Sequence, residues 1–374
     1  MKILLVVFSS LLVFLSTTNF ASAQVAYEEV QDILRAQVVD ILSEQERPIM
    51  GTDATAVVQK IEAKLLEGQN KGRIVEFESD LLRLKQSDKI YLTHVIDIDG
   101  REIFILKDVD RGFGMVFLFL TFSVLLIIFS KWQGVRALTS LLLSIVGIVF
   151  ILLPALLAGY DPMLMSILIS AIILALALFG THGFGPIPSI AYIGTIITVL
   201  VTSLIAWFFV YYLRLSGYGD DASVYLNFAT RGQLDLAGLL LGSIIIGVLG
   251  MLDDIAITQV SVIAELKHAN ASLNMTELYK RSVRVGKDHI GSLVNTLALA
   301  YVGAALPLVL LFSTSDAPLY FTLNQEVVAA EMARILIGSI GLVLTVPITT
   351  LIAAWWFHHK GVDNHSSAHY HHHH

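Results

Sequence analysis

Two runs of polar residues interrupt an otherwise apolar sequence in the second half of the chain. Between Leu252 and Leu266, Asp254, Thr258, Ser261 and Glu265 recur at spacings of four, three and four. At about 100° per residue they fall within an arc of about 60° on one helix face. Ile255, Ala256, Ile257, Val260, Val262, Ile263, Ala264 and Leu266 fill the rest of the run, with Asp253 before it and Gln259 as the polar exception. Downstream, Asp288, Ser292 and Asn295 share one helix face, with Lys287 and Thr296 beside it. Carboxylates and amides on such helices offer hard oxygen ligands for a cation or acceptors for protons, and Lys287 offers a counter-charge. The candidate ion- or solute-binding set is therefore Asp253, Asp254, Thr258, Gln259, Glu265, Lys287, Asp288, Ser292 and Asn295. The pattern names no particular metal and no catalytic residue.

A structural reading of the same residues competes. Asp253 or Asp254 could cap a following helix, Asp288 could cap the next, and Asn274 with Glu277 has the spacing of a capping arrangement. Capping leaves Thr258, Gln259, Glu265, Ser292 and Asn295 unexplained, although hydrogen bonds between helices could employ them. Both readings stay open, as does whether residues 254–266 re-enter the membrane or extend the preceding helix. His182, in the Gly- and Pro-rich stretch Gly180 to Pro188, reads as a loop residue unless that loop lines a cavity. Lys280, Arg281 and Arg284 suit a solvated face near anionic lipid.

The elements that must carry these residues follow from charge and hydropathy. The chain has 374 residues, 55% hydrophobic and 15% charged, against about 45–50% and about 25% in soluble proteins. More than half of its charges lie between Glu28 and Arg111. Beyond them, the runs 113–130, 137–158, 163–180, 190–213, 236–252, 290–312 and 335–357 contain no Asp, Glu, Lys or Arg. Seven membrane helices are expected. Lys2 and the apolar run that follows it, ending in Ala21-Ser22-Ala23, predict a cleaved signal peptide over residues 1–23 and a mature terminus at Gln24. Residues 24–112 then form a small extracytoplasmic domain. Alternation over Val57–Leu65, β-rich runs at Arg73–Glu78 and Ile90–Ile96, and the Asp99-Gly100 turn predict about five strands in a β-barrel-like fold. Asp97, Asp99, Asp108 and Asp110 lack the spacing of a calcium loop and read as turn residues.

The fold class expected is thus an all-α polytopic membrane bundle at 113–357, preceded by a small all-β domain and followed by a His-rich tail at 358–374, either native or a tag. With the first domain outside, Lys131, Arg136, Lys267, Lys280, Arg281, Arg284, Lys287 and Lys360 are cytoplasmic, and only Arg214 and Arg231 sit in outer loops. That asymmetry fits the positive-inside rule and a bacterial inner (plasma) membrane location with a cytoplasmic carboxyl terminus. Gly238, Gly242, Gly247 and Gly250 predict close helix packing. Pro154, Pro307 and Pro347 predict kinks.

Several classes are excluded or disfavoured. A formal charge of −7 without a basic stripe argues against nucleic acid, and zero cysteines remove disulfides and Cys-ligated metals. There is no Gly-Lys-Ser/Thr phosphate loop, no His-Glu-x-x-His and no Gly-x-Ser-x-Gly, so no enzyme and no cofactor is expected. The partner implied is the lipid bilayer; a homo-oligomer or a membrane partner is compatible.

The runs Gly247 to Gln259, Arg284 to Thr296 and Leu299 to Gly303 resemble the YibE/F family of bacterial multipass membrane proteins. Leu66-Glu67-Gly68 and Lys71-Gly72-Arg73 resemble its outer-domain pattern, extending the similarity over nearly all of the mature chain. The resemblance implies a permease-type membrane architecture and fixes no substrate. Together with the polar stripes it predicts a permease or channel with a site between the fifth and sixth membrane helices. The alternative is a scaffold or receptor whose outer domain binds an envelope partner.

Overall fold

The computed structural model describes residues 32–48, 51, 55–68, 70–80, 82–96, 100–219, 221–314 and 316–360. The expected signal peptide, Gln24, Asp97, Asp99 and the tail beyond Lys360 lie outside the described residues. Two compact units divide between Phe122 and Ser123.

The first unit carries strands β1 (Asp32–Pro48), β2 (Thr55–Leu65), β3 (Ile74–Ser79), β4 (Lys89–Ile96) and β5 (Glu102–Val109). They form one antiparallel sheet in the order β3-β2-β1-β4-β5. The 17-residue β1 is long enough to serve two neighbours. Asp32–Gln37 pairs with β4, and from Ala36 onward the strand pairs with β2 through irregularities at Val38/Asp40 and Ile41/Ser43. Such bulges bend and twist a strand, so β1 rolls the sheet and β5 comes up beside β3. Arg73, just ahead of β3, pairs with Glu102 at the start of β5 at 2.6 Å. This cyclic order is the connectivity of a five-stranded, partly open Greek-key barrel. Alternate side chains fill it, among them Val38, Ile61, Phe77, Leu92 and Leu106. Gln59 is the buried polar exception: its Oε1 accepts from the Leu84 amide at 2.7 Å, and its Nε2 donates to Glu44 at 3.0 Å.

The Arg35 guanidinium, followed by the Gly112 amide, holds the Asp110 carboxyl below the usual carboxylate range. A lowered folded-state pKa contributes stability that is complete above the unfolded value of about 4 and is lost as pH falls through the lowered one. The protection of β1 and β5 amides, measured against the intrinsic exchange rate at each pH, is therefore expected to fall on acidification below about pH 4. Asp110→Asn should flatten that dependence; an unchanged profile in the variant would show that the pair contributes nothing.

The second unit is helical. α1 (Gly112–Gly147), which starts in the first unit, runs through a π-helical turn at Ile148–Leu152 into α2 (Leu153–Leu157). There follow α3 (Pro162–His182), α4 (Pro186–Tyr212), α5 (Asp221–Ala229), α6 (Leu236–Ala269), α7 (Met275–Ala304), α8 (Leu306–Ser313), α9 (Leu319–Asn324) and α10 (Glu326–Lys360). Five stretches are long and apolar enough to cross a membrane: Gly112–Leu157, α3, α4, α6 and α10. α7 with α8 makes a sixth if that pair, bent by 67°, is one span. By length and composition alone these five or six stretches do not confirm the exact count of seven.

The count turns on Gly112–Leu157, where two spans were expected and the helix runs for 46 residues across a kink. At 1.5 Å per residue it would measure about 69 Å, more than twice a hydrocarbon core of about 30 Å. The stretch is broken at Lys131, whose φ of 49° and ψ of −130° are not helical. A Cβ on Gly134 would lie 2.6 Å from the Leu126 carbonyl oxygen, whereas eight helical residues cover about 12 Å. The chain therefore doubles back sharply at Lys131.

α6 packs against α3, α4, α7 and α10. Hydrophobic difference does not drive association in lipid, so close backbone approach matters. A Cβ on Gly242 would collide with Ser166 of α3, one on Gly238 would come within 3.1 Å of Pro162, and one on Gly247 would strike the Tyr301 hydroxyl of α7. Gly250 has open space instead. Between α4 and α10, Gly194 lies against Thr349 and Gly341 against Thr202. The Thr195, Thr198, Thr345 and Thr349 hydroxyls donate to carbonyls four residues back in their own helices. These four hydroxyls are satisfied within their own helices, whereas the buried Thr202 hydroxyl has no partner among the described residues. Pro307 stands in the first turn of α8 after the 67° bend, Pro154 in the first turn of α2, and Pro347 inside α10, which continues through it.

Candidate functional site

α6 is helical without a break from Leu236 to Ala269, so residues 254–266 extend the membrane helix. Asp253 and Asp254 lie mid-helix and cap nothing. The same holds for Asp288 within the unbroken α7. The Asn274–Glu277 arrangement is a true capping box: Asn274 Oδ1 accepts from the Glu277 amide at 2.9 Å, and Glu277 Oε2 from the Asn274 amide at 3.2 Å. Lys267 closes the preceding turn by donating Nζ to the carbonyls of Ala271 and Leu273 at 2.7 and 3.0 Å.

With capping removed as an explanation, the α6 stripe has a clear setting. Asp254, Thr258, Ser261 and Glu265 line an open groove of about 670 Å³, with His182 at the end of α3 on its rim and Ile257, Val262 and Leu266 as apolar wall. Asp254 and Glu265 are exposed, and Thr258 and Ser261 half-buried. The opposite α6 face is fully covered: Ala256, Val260 and Ile263 are completely buried. Among the described residues, no three His, Asp or Glu side chains converge on a metal position. Asp254 and Glu265 are separated by about 16 Å of helix. The arrangement offers successive solvated oxygen positions along a groove, suited to a hydrated ion or to protons.

The other sequence candidates lie elsewhere. Asp253 is half-buried, outside the groove, and accepts from the Asp254 amide at 3.0 Å. Gln259 is buried on the opposite side of α6, where its Oε1 accepts from the Thr350 hydroxyl of α10 at 3.1 Å. A Cβ on Gly286 of α7 would come within 2.8 Å of Gln259 Nε2 and 2.7 Å of Val346 Cγ1. Gln259 thus joins three helices. Lys287, Asp288, Ser292 and Asn295 are exposed on α7 and do not line the groove. Among the described residues, the α7 stripe therefore takes no part in the groove that the α6 stripe lines.

One polar cluster escaped the sequence reading. At the opposite end of the bundle, a cavity of about 630 Å³ between α6, α7 and α10 is lined by Ser243, Tyr301, Glu331 and Arg334, among others. Arg334 pairs with Glu331 at 3.5 Å and lies over the Tyr301 ring at 5.9 Å, and its buried Nε has no hydrogen-bond partner among the described residues. Glu326, at the start of α10, fixes this end by accepting from the Ser216 and Gly217 amides at 2.7 and 2.9 Å. Glu331 and Arg334 stand just outside the charge-free run that begins at Ile335, so hydropathy alone does not single them out. Their three-residue spacing, continued one turn back from that run, was the available signal.

These features sit in a region that has relatives. A family profile described as YibE/F-like protein matches residues 118–359, well over half of the chain. The chain belongs to the YibE/F-like family. The match takes in α6, α7 and α10 with both cavities, and it begins after the β-domain, which therefore stands outside the matched YibE/F-like region. No curated protein and no solved structure matches the chain.

Proposed function

We propose that this YibE/F-like membrane protein is a permease or channel, not an enzyme, that moves a small hydrated cation or protons along the α6 groove. The observation that carries this reading is the Asp254–Glu265 stripe, within an unbroken helix and open to solvent while the opposite face is packed. A carboxylate in lipid is costly, by about 2.5–3.5 kcal/mol even on insertion scales, so such a face belongs to a water-filled path. Asp254 and Glu265 attract the ion, Thr258 and Ser261 replace part of its hydration between them, and His182 modulates the entry. The drive is an ion gradient, since the chain has no phosphate-binding loop.

The orientation is the one expected from charge. Lys267, Lys280, Arg281, Arg284 and Lys287 cluster around the α6–α7 connection, so the groove opens to the cytoplasm of a bacterial cell and the β-domain lies outside. Reconstituted full-length protein given gradients of K⁺, Na⁺ or H⁺ is expected to carry at least one of them above the leak of protein-free liposomes. Leak-level flux for all three would overturn the proposal and favour a scaffold role.

A further inference from the structure

The Tyr301–Glu331–Arg334 cavity and the Asp254 groove lie at opposite ends of the bundle, and a single helix face links them. Counted at about 100° per residue, Ser243, Gly247 and Gly250 fall on the same α6 face as Asp254, Thr258 and Ser261, within an arc of about 80°. Ser243 lines the cavity, whereas Thr258 and Ser261 line the groove. Between Ser243 and Asp254, the first groove residue, this face carries only Gly247 and Gly250, both exposed helical glycines. From Ser243 to Ser261 the face covers about 27 Å, close to the thickness of a hydrocarbon core.

The track is occupied at one point. The Tyr301 hydroxyl rests directly on Gly247, while the next position on the same face, Gly250, has nothing within 4 Å. Tyr301 also forms part of the cavity wall, held beneath the Arg334 guanidinium. Glycine at 247 is what lets the hydroxyl approach so closely, because any Cβ there would overlap it. Arg334 is in turn held by Glu331 from the preceding turn of α10.

We propose that the Tyr301–Glu331–Arg334 cavity is the second mouth of a continuous aqueous route along α6, and that Tyr301 is the residue that closes it. The inference rests on the cation-path reading above. It adds a second mouth, with both charges balanced, and a specific constriction. A cation entering from the cavity passes a neutral ion pair and is then admitted to the acidic groove only when the Tyr301 ring leaves Gly247. Arg334 acts as a positioning residue, through its contact with the ring.

The chain contains no cysteine, which allows a direct test with single cysteines in the full-length protein. Ser243→Cys, Gly250→Cys and Ser261→Cys would each be exposed, in sealed proteoliposomes, to a membrane-impermeant trimethylammonium thiosulfonate from one side or the other. Thiol modification follows aqueous access, so Ser243→Cys should react from one side only and Ser261→Cys from the opposite side. With the reagent on the side that labels Ser243→Cys, Gly250→Cys should react slowly beside native Tyr301 and about tenfold faster beside Tyr301→Ala. Tyr301→Phe keeps the ring and should give an intermediate rate, which guards against a loss of fold in the alanine variant. An unchanged Gly250→Cys rate in both Tyr301 variants would overturn the gate. Ser243→Cys unreactive from both sides would overturn the second mouth, with lipid or another copy of the chain covering it. The labelling needs no transported ion, so it stands or falls separately from the flux measurement.

Discussion

Asp254→Asn is expected to lower cation flux through the reconstituted protein by about tenfold, the effect of roughly 1.4 kcal/mol on a barrier. The amide keeps the size of the side chain and its helical position and removes only the charge. Asp254 is exposed on the groove and caps no helix, so no structural bond is lost. Stability should move by less than about 0.5 kcal/mol, as for surface substitutions in general. A large fall in flux at unchanged thermal stability therefore reads as loss of an ion position. Thr258 and Ser261, which contribute dipoles in place of charge, should show smaller losses as Val and Ala.

The second large effect concerns the fold that holds this groove in place. Gly286→Ala is expected to destabilise the bundle by about 1–3 kcal/mol, the usual range for overpacking. Its Cβ would lie 2.7 Å from Val346 Cγ1 and 2.8 Å from Gln259 Nε2. Val346 is 1% exposed and β-branched, so it has no free rotamer to retreat into. Moving Gln259 aside would break its bond with Thr350 at 3.1 Å and leave two buried polar groups unpaired. Heat unfolding in detergent, followed by helical circular dichroism, measures the effect. A variant as stable as the native protein would mean that α6, α7 and α10 are not locked at this junction.

What could be read from the sequence depended on whether the chemistry was local. Strands β2, β3 and β4 alternate cleanly or are rich in β-branched residues, and their positions were legible to within a residue or two. β1 was not, because its inward alternation, Leu34, Ala36 and Val38, is short and is broken by the irregularities at Val38/Asp40 and Ile41/Ser43, after which the strand is exposed. The break at Lys131 was legible because Lys131 and Arg136 divide two charge-free runs, and the chain departs from helical dihedrals at Lys131 itself. The 67° bend before Pro307 was less so, because a proline predicts a kink and not its angle.

The site was legible in the same uneven way. The α6 stripe could be drawn because four spacings along one helix define a face. Whether that face met the α7 stripe is a question of helix rotation, set by contacts such as Gln259 with Gly286 and Gly247 with Tyr301, far apart in sequence. Gln259 looked like a member of the polar site because it is polar, yet it is one position round the helix and belongs to the core. Arg334 was invisible for the converse reason: it lies one residue outside the charge-free run used to define a span.

The most direct test of the central claim compares two aspartates of the same motif pair. Flux of the permeant cation would be measured in proteoliposomes for Asp254→Asn and Asp288→Asn at matched protein density. The α6 groove as the ion path predicts a loss of about tenfold for Asp254→Asn and near-native flux for Asp288→Asn, whose side chain lies outside the groove. Native flux in Asp254→Asn, or an equal loss in Asp288→Asn, would contradict it.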